Sequence, residues 1–332
     1  MRMRKIDHPE FAVEWLTHAF GLGRPRRAVH AGRGQKNPLG VLRLETSKGC
    51  FAVKRFEHEP SRVALAIESA AYAAGFPMPQ PLATTDREPY TMYLHAGSPV
   101  WVRVYSWVEG SPYDWGVVDP QLSYHMGRLL AALHALPVPA EVLQEDPWLP
   151  LGWSGWEQLA AQATAQGVAW GQTLRQKIPA LVEWEDHVLS CTVSDEPLVP
   201  SQRDLHPPNV MQCVDGNPVV VDWDAAGPVN AREEVAKFAL VWASAPGQSP
   251  SREAVQAFVR GYREAGGCFA SRGILDLTHR ARSLLWWLAY NVRRDVGEHP
   301  GPDPDLTPAL LSGVHEIALE KLQYTAALFD QS

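Results

Sequence analysis

One stretch of the chain decides the fold, and it reads Ser201-Gln-Arg-Asp-Leu-His-Pro-Pro-Asn-Val-Met-Gln-Cys-Val-Asp-Gly-Asn-Pro-Val-Val-Val-Asp-Trp-Asp224. Two β-rich segments within it flank Asp215-Gly216, a dipeptide typical of a two-residue hairpin turn. With that pair at the centre of the turn, Asn209 lies opposite Asp222, with Cβ atoms about 4.5–5.5 Å apart. The sequence therefore predicts a hairpin whose open end brings two polar side chains together.

The polar side chains of this stretch have the chemistry of a metal site. Oxygen ligands as close as those of Asn209 and Asp222 suit a hard cation such as Mg²⁺, which takes carboxylate or amide oxygens together with phosphate oxygens. Asp204 precedes Asn209 in a loop whose two prolines oppose helix formation, where it is placed to accept a proton near the metal. A loop Asp as base, with an Asn and a second Asp for metal, is the arrangement found in kinases. An ordinary surface hairpin with polar ends is the alternative.

The motif resembles that of the aminoglycoside phosphotransferase family, which is related to choline kinase. The resemblance rests on Asp204-Leu-His-Pro-Pro-Asn209 followed by Val-Val-Asp222-Trp-Asp224. It implies an α+β, bilobal fold of the protein-kinase type, with a small antiparallel-sheet lobe over residues 1–107, which ends in the hinge, and a larger, mainly helical lobe over residues 108–332. It also implies ATP or GTP and Mg²⁺ as cofactors, and a small molecule that accepts the phosphoryl group on a hydroxyl.

A glycine-containing segment near the start of the chain is a candidate phosphate-covering loop. Residues 28–45 predict a strand, a turn with Gly32 and Gly34, and a second strand. Glycine lets the backbone approach a ligand closely, as such a loop requires. In the resembled family this position covers the nucleotide phosphates, whereas a plain hairpin turn is the alternative.

Lys54 lies inside a β-rich run, residues 49–56, where an unpaired charge is costly. Glu68 is the single acid of the helical run that follows. We therefore expect a Lys54–Glu68 ion pair, as in kinases, where the lysine orders the nucleotide phosphates. The alternative is that Glu68 is one exposed charge on a solvated helix.

The strand that ends near residue 106 is the expected hinge between the lobes, and it completes the proposed nucleotide site. In kinase-like folds the hinge binds adenine through its backbone, which here assigns Ser106, Trp107 and Val108. Downstream, apolar periodicity predicts helix over residues 157–190, with a break near Pro179.

The acceptor site of the resembled family is built by helices near the end of the chain. Its candidate residues here are Asp224, Trp286, Trp287, Tyr290, Asn291 and Asp295. This aromatic and acidic mixture suits an aminoglycoside, another amino sugar or a quaternary amine through cation–π contact. It also suits a neutral sugar or a nucleoside antibiotic, and core packing is the alternative for each tryptophan. Antibiotic resistance and a biosynthetic or metabolic role both stay open.

The sequence departs from the resembled family immediately before the proposed base. The usual His and Gly are replaced by Gln202 and Arg203. Glutamine still donates and accepts hydrogen bonds, so a scaffolding role survives the change. Arg203 is a candidate either to lower the pKa of Asp204 or to contact a phosphate. A pseudokinase, which binds nucleotide without transfer, is the alternative function. A metal phosphohydrolase is weaker, since it leaves Lys54 without a role.

Composition limits the remaining possibilities. The chain has 332 residues, 45% of them hydrophobic and 20% charged, which is typical of a globular protein. A net charge of −7 gives no electrostatic support for binding nucleic acid. The four scattered cysteines predict reduced thiols in a cytoplasmic protein. We see neither a signal peptide nor a membrane span, and expect a monomer or homodimer.

Overall fold

The structure is a computed structural model that describes residues 9–34, 37–95, 97–144, 149–191, 197–214, 216–298, 306–313 and 325–329. In chain order, its helices and strands are α1 (Pro9–Ala19), β1 (Pro25–Gly34), β2 (Asn37–Thr46), β3 (Gly49–Phe56), α2 (Arg62–Ala73), β4 (Pro81–Leu82), β5 (Thr91–His95), β6 (Ser98–Ser106), β7 (Gly110–Pro112), α3 (Pro120–His134), α4 (Gly152–Ala165), α5 (Gly171–Cys191), β8 (Leu198–Ser201), β9 (Val210–Cys213), β10 (Pro218–Val220), β11 (Gly227–Asn230), α6 (Ala231–Val241), α7 (Arg252–Glu264), α8 (Thr278–Asp295) and α9 (Leu306–Gly313). This mixture of antiparallel sheet and helices confirms the predicted α+β class.

The chain forms two compact units. The first comprises Met1–Asp114, Leu136–Val142 and Gln202–Gly227, and the second comprises Trp115–Ala135, Leu143–Ser201 and Pro228–Ser332. The first unit therefore holds the sheet together with residues 202–224 of the motif. The lobe boundary between residues 107 and 108 stays a prediction, as do the cytoplasmic location and the oligomeric state.

The sheet of the first unit carries different chemistry on its two faces. Its strand order is β1-β2-β3-β6-β4, and β5 also pairs with β6. Side chains alternate between faces along a strand. Val53 of β3 and Val102 and Val104 of β6 lie in a buried apolar cluster that also contains Leu16 of α1. The opposite face consequently presents Lys54 of β3 and Arg103 of β6, which pair directly across the two strands.

The helix α2 packs a carboxylate into the first unit. The Ser61 hydroxyl caps its first turn by accepting a hydrogen bond from the Ala64 backbone N–H at 3.4 Å. Ile67, Glu68 and Ala71 are buried on one side of the helix. A buried glutamate needs a partner, because an unpaired charge in the interior is costly.

The hairpin of β9 and β10 forms, but its predicted register is wrong by one residue. Val220 pairs with Val210, and the Cys213 N–H donates to the Asn217 carbonyl at 3.3 Å. The connection is therefore one residue longer than the predicted two-residue turn. Gly216 has φ of +81°, the left-handed conformation that three-residue hairpin loops require, whereas Asp215 lies outside the described residues.

This register changes what lies opposite the metal-site candidates. The Val221 N–H donates to the Asn209 carbonyl at 2.9 Å, so Asn209 faces Val221 rather than Asp222. Asp222 follows the strand and has φ of +62°, a left-handed conformation uncommon outside glycine. The turn at Asp222, and not a ladder pair, therefore sets the position of its side chain.

In the second unit, the helix boundary near Pro179 is wrong. Helix α4 ends at Ala165, and Gly167 follows with φ of +71°. Helix α5 then begins at Gly171 and continues through Pro179. A glycine stop after α4 therefore divides the predicted helical region. Among the described helices, none has the length and apolar character needed to cross a membrane.

Candidate active site

The two predicted strands form and pair, but the predicted turn position is wrong, since Gly32 and Gly34 lie within β1 at its end. Gly32 pairs with Val41 and Gly34 with Asn37, and the register is irregular on both sides of Gly32. Such irregularities bend a strand and interrupt its ladder. The two residues that connect β1 to β2 lie outside the described residues, so the phosphate-covering role stays a proposal.

Lys54 on β3 forms the centre of a charged cluster. Its Nζ contacts Asp222 Oδ1 at 2.6 Å and also Asp224 Oδ2. The lysine side chain is 11% exposed, whereas Asp222 and Asp224 are 45% and 34% exposed. Because the carboxylates reach solvent, the cluster is open on the side of the two aspartates. We call these three residues the open cluster.

Opposing effects act on the pKa values of the open cluster. Burial lowers the pKa of Lys54, but the negative charges of Asp224 and Asp222 outweigh it, and the pKa lies above that of free lysine. Burial raises the pKa of Asp224, the positive charge of Lys54 lowers it, and the charge of Asp222 raises it, which leaves a pKa of about 6. Lys54 therefore stays charged, and the two carboxylates exceed the single cation that they share.

The predicted Lys54–Glu68 ion pair is wrong. Glu68 binds Arg103 Nη2 through Oε2 and accepts a hydrogen bond from the Tyr105 hydroxyl through Oε1 at 3.0 Å. Arg103 on β6 lies directly opposite Lys54 on β3, so two cations compete for one glutamate. The guanidinium of arginine is the stronger hydrogen-bonding partner for a buried carboxylate. We call Glu68, Arg103 and Tyr105 the closed cluster.

The structure brings Asp204 and Asn209 together. A short 3₁₀ turn, Pro207–Asn209, folds the chain back so that the Asn209 Nδ2 donates to Asp204 Oδ2 and to the Asp204 carbonyl, both at 2.9 Å. His206 Nδ1 contacts the other carboxylate oxygen, Oδ1. Since both partners of the Asn209 amide nitrogen are acceptors, its orientation is fixed and its Oδ1 points elsewhere. Asp204 is thus held by its own loop while 39% of its side chain stays exposed.

The residues around Asp204 connect it to Asp222. Gln202 Nε2 donates to the carbonyls of Val221 and Asp222 at 3.1 and 2.6 Å, and its Oε1 accepts from the Asp204 N–H at 2.9 Å. Trp223 is buried, and its ring contacts Phe76 edge-on with centroids 5.6 Å apart. These contacts fix both ends of the hairpin segment in one unit.

Arg203 has a left-handed backbone, with φ of +66°. Its guanidinium lies so close to Gly227 that a Cβ added at that glycine would collide with it. The side chain is therefore packed against the backbone at the start of β11.

The hinge candidates differ in what their backbone offers. The Ser106 N–H donates to the Gln80 carbonyl at 2.9 Å, and the Trp107 N–H donates to the Cys50 carbonyl at 3.1 Å. Both N–H groups therefore already have hydrogen-bond partners within the first unit. The Val108 N–H has no such bond within the described part of the chain, and it is the donor of the three that a ligand can use.

The acceptor candidates of the second unit lie on α8. Trp286, Trp287 and Tyr290 stack with near-parallel rings, and centroid distances of 5.5–6.2 Å. Asn291 is buried and donates through Nδ2 to the Trp287 carbonyl at 2.7 Å, while Asp295 Oδ2 accepts from the Thr307 hydroxyl at 2.6 Å. Asp224, the remaining candidate, lies in the first unit beside Lys54.

Sequence reasoning missed three residues of these networks. His206, which contacts Asp204, stands inside the motif that defined the site. Arg103 carries the same signal as Lys54, a cation within an apolar strand, and Tyr105 follows it on the same face. The signal for Arg103 was therefore available, whereas its partner depended on the pairing of β3 with β6.

Solved structures of small-molecule kinases share this fold. A spectinomycin phosphotransferase, solved with ADP and spectinomycin, is 14% identical with a TM-score of 0.71, over 98% of this chain and 100% of that one. An amicoumacin kinase, solved with AMP-PNP and Ca²⁺, is 13% identical with a TM-score of 0.64, over 93% and 94%. A choline kinase from Streptococcus pneumoniae is 14% identical with a TM-score of 0.60, over 92% and 98%. These similarities establish the kinase-like fold that the motif predicted.

The sequence itself identifies the family. No curated protein matches the chain. The model of the phosphotransferase enzyme family matches residues 31–268, which include most of the sheet, the open cluster and the Asp204 loop. The chain belongs to this phosphotransferase family, and the resemblance seen in the motif is confirmed.

Proposed function

We propose that the chain transfers the γ-phosphoryl group of ATP or GTP to a hydroxyl group of a small molecule. One observation supports this proposal: a continuous series of contacts joins the candidate residues within one unit. Lys54 contacts Asp222, Gln202 binds the backbone of both Asp222 and Asp204, and Asn209 binds Asp204. This series supplies a cation for phosphates, oxygen ligands for a metal and a carboxylate for the acceptor. These are the parts that phosphoryl transfer requires.

Asp204 serves as the base in this proposal. Its carboxylate accepts the proton of the acceptor hydroxyl, or orients that oxygen toward the phosphorus. His206 and Asn209 hold one carboxylate oxygen each, which restricts rotation of the side chain. Positioning of this kind supplies much of the rate enhancement in phosphoryl transfer.

The proposed metal ligands, Asn209 and Asp222, fit Mg²⁺ by their donor chemistry. Asp222 offers a carboxylate that is 45% exposed, and the Asn209 amide turns its nitrogen toward Asp204, which leaves its oxygen for a cation. Amide and carboxylate oxygens are the protein ligands that Mg²⁺ prefers. When bound, Mg²⁺ neutralises charge on the phosphate oxygens.

The nucleotide is proposed to bind along the first unit. Lys54 pairs with its phosphates, the backbone at Gly32 and Gly34 covers them, and the Val108 N–H donates to the adenine or guanine ring. In place of the expected pairing with Lys54, Glu68 holds Arg103 and stabilises the sheet beside the lysine. Lysine is thereby left to the aspartates and the phosphates.

The acceptor is proposed to be a cationic small molecule that binds the aromatic stack of α8. Stacked rings of Trp286, Trp287 and Tyr290 favour an aminoglycoside, an amino sugar or a quaternary amine through cation–π contact. The buried Asn291 Oδ1 makes no hydrogen bond within the described residues, so it supplies an acceptor for a ligand donor. Asp295, on the same helix, is a candidate for contacts with the cationic groups, and Asp224 stays a separate candidate within the first unit.

The test is acceptor-dependent release of ADP from Mg-ATP, measured across aminoglycosides, amino sugars, choline-like amines and nucleosides. Asp204→Asn keeps the size of the side chain but removes the base, and we expect turnover to fall about 10²–10⁴-fold. Asp186→Asn, an exposed aspartate on α5, is the matched control and should leave turnover unchanged.

Two results would contradict the proposal. Turnover that survives in Asp204→Asn would remove Asp204 as the base. A panel without any acceptor-dependent signal, combined with intact nucleotide binding, would instead support the pseudokinase alternative.

The variant Trp287→Ala tests whether α8 contributes the acceptor site. If it does, we expect this variant to lose turnover of the acceptor while its ATP binding stays unchanged.

A further inference from the structure

Gln202 lies at the point where the two ends of the catalytic segment meet. Its side chain is fully buried, with 0% of the residue exposed. Both polar atoms of its amide form hydrogen bonds: Oε1 accepts from the Asp204 N–H, and Nε2 donates to the Val221 and Asp222 carbonyls. A single amide group therefore bridges the residue proposed as base and the residue proposed as metal ligand.

The chemistry of its partners fixes the orientation of this amide. Two backbone carbonyls face one end and accept only, whereas a backbone N–H faces the other end and donates only. A reversed amide would lose all three hydrogen bonds, because its oxygen would face the two carbonyl oxygens and its NH₂ group would face the Asp204 N–H. The bridge is therefore specified by the backbone around it.

The residues at both ends of the bridge have unusual backbone conformations. Arg203, between Gln202 and Asp204, has φ of +66°, and Asp222 has φ of +62°. Left-handed conformations at residues other than glycine persist only where surrounding contacts hold them. The Gln202 amide supplies such contacts, since it binds the N–H that follows Arg203 and the carbonyl of Asp222 itself.

We propose that Gln202 is the positioning residue of the active site, setting the placement of the Asp204 and Asp222 carboxylates relative to each other. The proposal rests on the proposed phosphotransferase function. It assigns a role to the position at which this chain departs from the usual histidine. A neutral histidine has one donor and one acceptor nitrogen, whereas the glutamine amide has two donor hydrogens and an acceptor oxygen. Glutamine is thus able to hold both carbonyls and the N–H at once.

The experiment compares Gln202→Met with the wild type and with Gln212→Met. Methionine retains the length of the side chain and removes the amide, and Gln212 is an exposed glutamine on β9 of the same hairpin. We expect kcat to fall about 10–100-fold in Gln202→Met, with the nucleotide KM changed much less, because outer residues that orient ligands have effects of this size. Gln212→Met should match the wild type.

A second readout does not depend on turnover. Binding of Mn²⁺ to the nucleotide-free protein, followed by electron paramagnetic resonance, should weaken about 10-fold or more in Gln202→Met. Asp222→Asn gives the reference for loss of a ligand. Gln202→His should recover part of kcat and of Mn²⁺ affinity, since it restores one donor.

The outcomes separate the two proposals. If the wild type transfers phosphate and folded Gln202→Met keeps its kcat and Mn²⁺ affinity while only its unfolding midpoint falls, Gln202 is structural and the inference is overturned. If the wild type shows no transfer to any acceptor, the proposed function fails, and the Mn²⁺ measurement alone decides whether Gln202 positions Asp222.

If Gln202→Met does not fold, the variants Gln202→His and Gln202→Glu decide. Glutamate presents oxygen to both carbonyls, so Gln202→Glu should lose kcat and Mn²⁺ affinity, whereas Gln202→His should retain both in part. Equal values in the two variants would overturn the inference.

Discussion

The open and closed clusters lie on the same unit and contain the same kinds of group, yet they differ in what surrounds their carboxylates. In the closed cluster, Glu68 is 1% exposed and both of its oxygens are bound by Arg103 and Tyr105. In the open cluster, Asp222 and Asp224 are 45% and 34% exposed and share one lysine. A carboxylate matched by protein donors is structural, whereas two exposed carboxylates with a single cation retain capacity for a further cation. This difference assigns stability to one cluster and ligand binding to the other.

The largest effect that separates the clusters is on stability. Glu68→Ala leaves Arg103 buried without its carboxylate, and we expect the free energy of unfolding to fall by about 3–5 kcal/mol. Asp224→Ala leaves Lys54 paired with Asp222 near solvent, and the fall should stay under about 1 kcal/mol. Urea denaturation followed by tryptophan fluorescence measures both.

The matched control for this prediction is the double variant Glu68→Leu/Arg103→Met. Replacing both partners of a buried ion pair with apolar side chains is often close to neutral, so most of the lost stability should return. Equal destabilisation by Glu68→Ala and Asp224→Ala would mean that the exposure of the carboxylates does not distinguish the clusters.

The next effect is on nucleotide binding and belongs to the open cluster. Lys54→Met removes the proposed phosphate partner, and the affinity for Mg·AMP-PNP should fall about 10–100-fold, as expected for the loss of a charged hydrogen bond. Lys48→Met, an exposed lysine at the β2–β3 turn, is the control and should bind as the wild type does. Isothermal titration calorimetry measures the two affinities, and equal values would remove Lys54 from the nucleotide site.

The closed cluster shows why sequence predicted one partner of Lys54 incorrectly. That a lysine in β3 needs a carboxylate follows from local physics, and so does the burial of an acid on α2. Which carboxylate pairs with which cation follows from the strand order, because β6 places Arg103 beside Lys54 although about 50 residues separate them in the chain. A single sequence without that pairing contains two cations and several acids, and no rule for assigning them.

The open cluster shows a smaller failure of the same kind. The Asp204–Asn209 contact could be predicted, since it spans one short proline-containing turn. The position of Asp222 could not, because two-residue and three-residue hairpins share the Asp-Gly signal and differ by one residue in register. The left-handed conformation of Asp222 is stabilised by Gln202, a contact across the segment that no local pattern encodes.

The smallest effect concerns Arg203, at the edge of the open cluster, and decides whether this residue acts by packing or by chemistry. Gly227→Ala would place a methyl group against the Arg203 guanidinium, and we expect a loss of about 1 kcal/mol of stability, in the lower range for overpacking. Arg203→Gly removes the contacts of the guanidinium together with the unfavourable left-handed arginine backbone; because the second effect offsets the first, its own effect on the free energy of unfolding should stay below about 1 kcal/mol. In that background Gly227→Ala should cost nothing further, whereas additive costs in the double variant would show that Arg203 does not pack on Gly227. Unchanged kcat and KM in Arg203→Gly would show that Arg203 has a structural role, like the residues of the closed cluster. A raised nucleotide KM would show instead that Arg203 contacts a phosphate beside the open cluster.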